Sequence, residues 1–198
     1  MVLSREFYTR PDVVQIAREL LGKQLCSIIR GKFTSGIISE TEAYAGVTDR
    51  ASHAYGNRRT GRTEIMYKTG GTGYIYLCYG VHSLFNVVTN IEGIPHAVLI
   101  RGIIPGEGVP LMLQRTRKNN LTKNFGIGPG NVTKVLGIHF SMTGIDLTIK
   151  NAGTGNDAIW LEEKNYKVND SEILTTTRIG VQYSGEAAKF PYRFVLNK

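Results

Sequence analysis

The sequence predicts a single mixed α+β domain spanning residues 1–198 and built on mostly antiparallel strands. Three observations carry this. A chain of 198 residues with 41% hydrophobic content suffices for one hydrophobic core. Short runs rich in β-branched and aromatic residues alternate with Gly-containing turns rather than with regular helices, which argues against a doubly wound parallel sheet. No Pro- or Ser-rich linker divides the chain.

The first element is an amphipathic helix over Pro11–Leu21, where Val13, Ile16, Ala17, Leu20 and Leu21 follow helical spacing between a leading Pro and Gly22. Strands are expected at Gln24–Arg30, Gly36–Tyr44, Gly73–Tyr79, Leu84–Asn90 and His96–Ile103. A second helix fits Val109–Lys118, and a third fits Asn131–Leu136, opened by Gly128-Pro129-Gly130 and closed by Gly137. Further strands are expected at Ile145–Lys150, Ala158–Glu162, Thr176–Val181 and Phe190–Leu196. The Gly- and Asn-rich stretches Asn119–Asn131 and Asn151–Asp157 read as surface loops.

Twenty-four basic against sixteen acidic side chains give a net charge of +8, which favours a polyanion, nucleic acid first, as partner. Cys26 and Cys78 lie outside any C-x-x-C spacing, so neither a disulfide scaffold nor a thiolate zinc site is indicated. The four histidines lack metal-ligand spacing, and no metal or cofactor is expected. No apolar run reaches membrane-spanning length and the start has no signal-peptide core, so the expectation is a cytoplasmic protein without a membrane partner. Walker A, G-x-G-x-x-G and G-x-S-x-G patterns are missing, which weighs against nucleotide hydrolysis and redox chemistry.

Strand periodicity places Glu40, Glu42 and Tyr44 on one face. That pattern suits a solvated strand edge, or a general base beside a stacking ring. Two carboxylates in a closed pocket raise one another's pKa unless cations attend them, so one of the pair is expected to be structural. Arg101, in the apolar strand Ala97-Val-Leu-Ile-Arg101, is a candidate cation for Glu42, or one half of an ordinary buried ion pair. Asn86 is similarly isolated among apolar neighbours and must find a partner or line a cavity.

From Arg50 to Lys68 five basic residues face one acid, a local balance of +4 (5 − 1). Arg58, Thr60 and Arg62 in this stretch suit phosphate contacts, although such a run also describes a solvated face. A second basic run, Arg115, Arg117, Lys118 and Lys123, strengthens the case for a footprint. In Tyr74-Ile-Tyr-Leu-Cys-Tyr-Gly80, Tyr74 and Tyr76 share a face, whereas Tyr79 precedes a Gly where the chain should turn. Tyr74 fits a sheet core. Tyr76 fits either a sheet or a pocket wall, and Tyr79 either a sheet or a hairpin tip able to wedge between bases.

Ser39-Glu-Thr-Glu-Ala-Tyr44, His53, Tyr76-Leu-Cys-Tyr-Gly80, Asn86, Leu99-Ile-Arg101, Arg178-Ile-Gly-Val181 and Ser184-Gly-Glu186 together resemble the alkyladenine (3-methyladenine) DNA glycosylase family, from about Phe7 to Phe194. The resemblance implies a curved antiparallel sheet with a protruding hairpin and no metal. It implies that Glu42 is the catalytic base, with Arg101 and the Val181 backbone carbonyl helping to hold the attacking water. Tyr44, His53, Tyr76, Asn86 and Leu99 would surround the extracted base, Asn86 obstructing the 2-amino group of guanine. Tyr79 would fill the gap left in the duplex, with Val81, His82, Gly130 and Asn131 beside DNA. Two positions depart from the family: Val81-His82 stands where mammalian members have Met-Tyr, and Gly128-Pro-Gly-Asn131 stands where a lysine usually ends the motif, with Lys134 one turn later.

The implied activity is that of a monofunctional glycosylase for base excision repair, acting as a monomer on double-stranded DNA with damaged purines. Its substrates would be 3-methyladenine, with hypoxanthine and etheno-adenine as further lesions. The residues also admit a non-catalytic nucleic-acid-binding module or a hydrolase of another glycoside.

Overall fold

In the computed structural model, which describes residues 1–150 and 157–197, eight strands form one sheet in which every pairing is antiparallel. Its main path runs β3 (Gly73–Cys78), β4 (His82–Thr89), β5 (His96–Pro105), β2 (Lys32–Tyr44), β1 (Gln24–Ile29) and β6 (Ala158–Glu162). Strand β8 (Arg193–Leu196) pairs with the far half of β2 and with β7 (Ile173–Thr176). The sheet curls around the core, and β3–β4 projects from its edge as a hairpin. The predicted architecture is therefore the observed one.

Two short helices, α1 (Arg5–Tyr8) and α2 (Val13–Glu19), precede the sheet. The Asp12 carboxylate caps α2 by accepting from the amides of Val14 and Gln15, both at 2.9 Å, so the helix starts two residues after the predicted Pro11. Val13, Ile16, Ala17 and Leu20 bury the predicted face, and the Thr41 hydroxyl donates to the Ala17 carbonyl at 2.7 Å. Helix α2 thus covers the face of β2 that Thr41 shares, leaving the face of Glu42 for the site.

Helix α3 (Val109–Thr116) stops short of Lys118 because Arg117 turns left-handed at φ 55° and the Lys118 amide bonds back to Leu113. Helix α4 runs from Pro129 to Leu136, with Pro at its first turn, and the Thr133 hydroxyl ties it to the Ser83 carbonyl at 2.6 Å.

Two predicted strands are not strands. In Ile145–Lys150 only an isolated bridge from Thr72 to Asp146 forms, because the Asp146 carboxylate accepts from the Thr148 amide and hydroxyl and builds a local turn. In Thr176–Val181, pairing ends at Thr176: Arg178 turns into the interior, and the Ile179 amide donates to Glu42 instead of to a ladder. The predicted strand over Phe190–Leu196 begins only at Arg193. Of the loop expected at Asn151–Asp157, residues 151–156 lie outside the described residues.

Candidate active site

The register between β2 and β5 slips twice: Ile38 opposes Ile103, Glu40 opposes Gly102 and Thr41 opposes Ile100, leaving Ser39 and Arg101 without direct partners. Such a bulge re-aims side chains next to it. A Cβ at Gly102 would stand 2.9 Å from Ser39 Oγ and 3.0 Å from Glu40 Cβ, so the crossing needs a residue without one. Its result is that Glu40 and Glu42 both meet Arg101. The guanidinium Nε donates to Glu40 Oε1 at 2.8 Å and lies 3.4 Å from Glu42 Oε1. Arg193 Nε also donates to Glu40 Oε1, at 2.7 Å. The two carboxylates differ in their partners: Glu40 is bound by two arginines, whereas Glu42 has Arg101 only as a longer ion pair.

Glu42 has no exposed surface. Its Oε1 accepts from the Ile179 amide at 2.7 Å and its Oε2 from the Tyr44 hydroxyl at 2.8 Å. Burial pushes its pKa above the ordinary carboxylate value, while Arg101, the Ile179 amide and the Tyr44 hydroxyl pull the other way. Burial and the neighbouring Glu42 carboxylate keep the Tyr44 phenol protonated as the donor.

Tyr44, Arg101 and Ile179, which contact this carboxylate, line a cavity of about 260 Å³, close to the lower end of ligand pockets at about 300 Å³. His53, Tyr76, Asn86, Leu99 and Val181 line it too, as does Tyr79. Every residue that the family resemblance implies to surround a base thus borders one space. His53 packs edge-on to Tyr76 with centroids 4.7 Å apart, and its Nδ1 lies 2.8 Å from the Tyr74 hydroxyl. Burial, reinforced by Arg62 and Arg58, lowers its pKa to about 4, so the imidazole is neutral at pH 7. Tyr74 is buried as expected of a sheet core, yet its edge reaches the same cavity. The Asn86 amide donates to the Tyr74 carbonyl at 3.1 Å, which answers why a polar residue stands in this apolar strand. The Val181 carbonyl already accepts from the Ser184 amide at 2.9 Å and the Ser184 hydroxyl at 2.7 Å.

Tyr79 is 95% exposed at the hairpin tip. It and Gly80 both have positive φ, 50° and 71°, as a type I′ turn requires, and the Val81 amide closes the turn onto the Cys78 carbonyl at 3.1 Å. Val81 and His82 are exposed beside it, and the ring of His82 lies against Gly130 at the start of α4. Asn131 turns its amide back to the Ile127 carbonyl at 2.7 Å. Arg58, Thr60 and Arg62 are exposed on the neighbouring loop. Thr60 organises that loop by donating its backbone amide to Thr63 Oγ1 at 2.8 Å, and Arg62 ties it to the hairpin through the Leu77 carbonyl at 3.0 Å. The second basic run divides: Arg115 is half-buried and donates to Thr34 Oγ1 and the Val135 carbonyl, capping the end of α4 rather than facing a partner.

Sequence reasoning missed Arg178 as a supporting residue. It is buried, donates to both carboxylate oxygens of Asp49 and to the carbonyls of Ala43 and Ala187, and its guanidinium lies 4.8 Å from the centroid of the Tyr44 ring. The nearest acids in sequence, Glu172 and Glu186, are six and eight positions away, so no local pattern marks Arg178 as half of a buried pair. Tyr183, also in the cavity wall, was missed as well.

A family model described as methylpurine-DNA glycosylase matches residues 6–198. A protein of Chlamydia felis, provisionally named a 3-methyladenine DNA glycosylase, is 44% identical over 197 residues, covering 99% of this chain and 96% of its own. Similarly named proteins of Desulfitobacterium hafniense and Clostridium acetobutylicum are 42% and 41% identical, covering 98% and 99% of this chain and 94% of each relative. The protein is a DNA glycosylase, a hydrolase of N-glycosyl bonds whose substrate is DNA. The chain belongs to the methylpurine-DNA glycosylase family.

Proposed function

We propose that this enzyme acts as a cytoplasmic monomer that removes 3-methyladenine and related damaged purines, hypoxanthine and etheno-adenine included, from double-stranded DNA. The observation that carries this reading is the buried Glu42 carboxylate, bonded to groups that line an aromatic cavity. A purine within a duplex is out of reach of such a carboxylate, so the nucleotide must swing out, at a cost of a few kcal/mol that is least for damaged bases. Tyr79 enters the vacated space. Tyr44 and Tyr76 then hold the base, and a cationic alkylated purine gains further attraction from the ring faces.

Cleavage of the N-glycosidic bond builds positive charge on the sugar. Ionised Glu42 stabilises that charge and accepts a proton from the water attacking C1′, while Arg101 helps to hold the water. The oxygen of this water bonds to C1′ and the base departs with the bonding electrons, leaving an abasic site; a cationic alkylated purine leaves as the neutral base, whereas a neutral purine such as hypoxanthine must also take a proton from water as it leaves. The Val181 carbonyl, already accepting twice from Ser184, is the weakest of the three contacts to the water. Asn86, held at the cavity wall by the Tyr74 carbonyl, opposes the 2-amino group of guanine; a lost or clashing polar contact costs about 1–3 kcal/mol.

Incubation with duplexes that each carry one modified purine tests the reading. Release of 3-methyladenine with an intact strand is expected. Release from free nucleosides but not from DNA would instead favour another glycoside hydrolase, and lesion binding without release a non-catalytic module. Because Tyr79 packs little in the free protein, Tyr79→Ser is expected to leave the melting temperature nearly unchanged, within the effect of about 0.5 kcal/mol usual for surface sites. Lesion affinity is expected to fall in the same variant, and a large loss of stability would remove Tyr79 from its role as wedge.

A further inference from the structure

Among the described residues only two Phe, Tyr or Trp side chains are more than half exposed, Tyr79 at 95% and Tyr183 at 69%, and both line the same cavity. Tyr183 belongs to the turn-rich segment Gln182–Lys189, directly after Ile179, Gly180 and Val181 in the cavity wall. Its hydroxyl donates to the Ala51 carbonyl at 3.2 Å, on the loop that carries His53. The ring is therefore tethered at its far end while most of its surface stays in water. Solvent exposure gives the ring little packing in the free protein, and its hydroxyl does not reach the Glu42 carboxylate, whose acceptor bonds come from Ile179 and Tyr44.

We infer that Tyr183 is a second aromatic contact to DNA, a positioning residue that stacks against the extruded nucleotide at the cavity mouth and slows its return to the duplex. The inference deepens the proposed reading of the cavity and rests on it. Tyr79 on the hairpin and Tyr183 on a separate segment divide the work: the first occupies the gap in the duplex, the second holds what has left it. Base–aromatic stacking tolerates any base, so the contact would favour extrusion of damaged and normal purines alike and leave discrimination to the cavity below. A tethered ring is preorganised, so little ordering entropy opposes the contact.

The test uses the full-length protein and a duplex with 2-aminopurine beside a single 3-methyladenine, or a stable analogue of it. Fluorescence reports extrusion and quenched-flow reports base release. Tyr183→Ala is expected to lower the extruded fraction about tenfold, within the range of one lost stacking contact. The rate constant for cleavage of the already extruded base and the melting temperature should remain as in the parent. Tyr183→Phe keeps the ring but not the tether, and should recover most of the extrusion. Unchanged extrusion in Tyr183→Ala, in a preparation whose parent releases the base, overturns this inference alone. A parent that releases no damaged base from any duplex overturns the reading of the cavity and the role of Tyr183 with it.

Discussion

Replacement of Glu42 by Gln is expected to slow base release by about 10²–10⁴-fold, the usual contribution of a positioned general base, while lesion binding and folding survive. Folding survives because the amide can satisfy the same partners: its oxygen accepts from the Ile179 amide, and its NH₂ donates to a Tyr44 hydroxyl that turns to accept. Arg101 keeps its bond to Glu40. The raised pKa of Glu42 fixes the sign of two pH effects. On the proposed role of Glu42 as general base, activity requires its ionised form and should fall with decreasing pH through a pKa above the ordinary value of about 4.3. Stability runs the other way, because the folded state holds this proton more tightly than the unfolded chain. The contribution of Glu42 to stability is full below the unfolded pKa and is lost as pH rises through the folded one. At pH 7 the Gln variant should therefore melt no lower than the parent. Single-turnover release and thermal melting on the same preparations decide the matter; a variant retaining a tenth of the parental rate would take Glu42 out of the chemistry.

Arg178→Met should have the largest effect on stability. The variant leaves Asp49 buried without its cation, and breaking a buried pair in this way typically costs about 3–5 kcal/mol. For a chain of this size that is a fall of roughly 6–20 °C in melting temperature, at about 2–4 °C per kcal/mol. Asp49 would keep the amides of Ala45 and Ala51, at 3.1 and 3.0 Å, which places the loss nearer the lower end. Loss of the guanidinium also removes the support beside the Tyr44 ring and the anchor of the chain just before Ile179, so base release should fall in the protein that remains folded. Calorimetry showing a shift under 2 °C would mean that this pair bears little of the fold, by the same conversion.

The particular residues show how far each level of information reaches. Alternation along β2 placed Glu40, Glu42 and Tyr44 on a common face from sequence, because side-chain direction in a strand has a period of two whatever the partner. Asn86 and Arg101 stood out as polar residues in apolar strands, since a buried polar group must be satisfied somewhere. The Tyr79-Gly80 pair signalled a turn through the conformational demand of the tip. The failed strands show the opposite case. Ile145–Lys150 and Thr176–Val181 have strand-like composition, but an aspartate that builds its own turn and an amide drawn to a distant carboxylate took the hydrogen bonds a ladder would need.

Local pattern and charge by themselves determined the α+β class, the helix faces, a turn at Gly80 and a list of side chains that demand partners, because each follows from backbone periodicity, from the conformational freedom of glycine or from the cost of an unsatisfied group. Only the tertiary structure decided which partner each one found: that Arg101 bonds Glu40 more closely than Glu42, that Arg115 caps a helix, and that Arg178 and Tyr183 reach the cavity region from far along the chain. The reason is geometric. A paired bulge between β2 and β5 and the return of residues 178–183 to that sheet are set by packing among distant segments, which no window of neighbouring residues records.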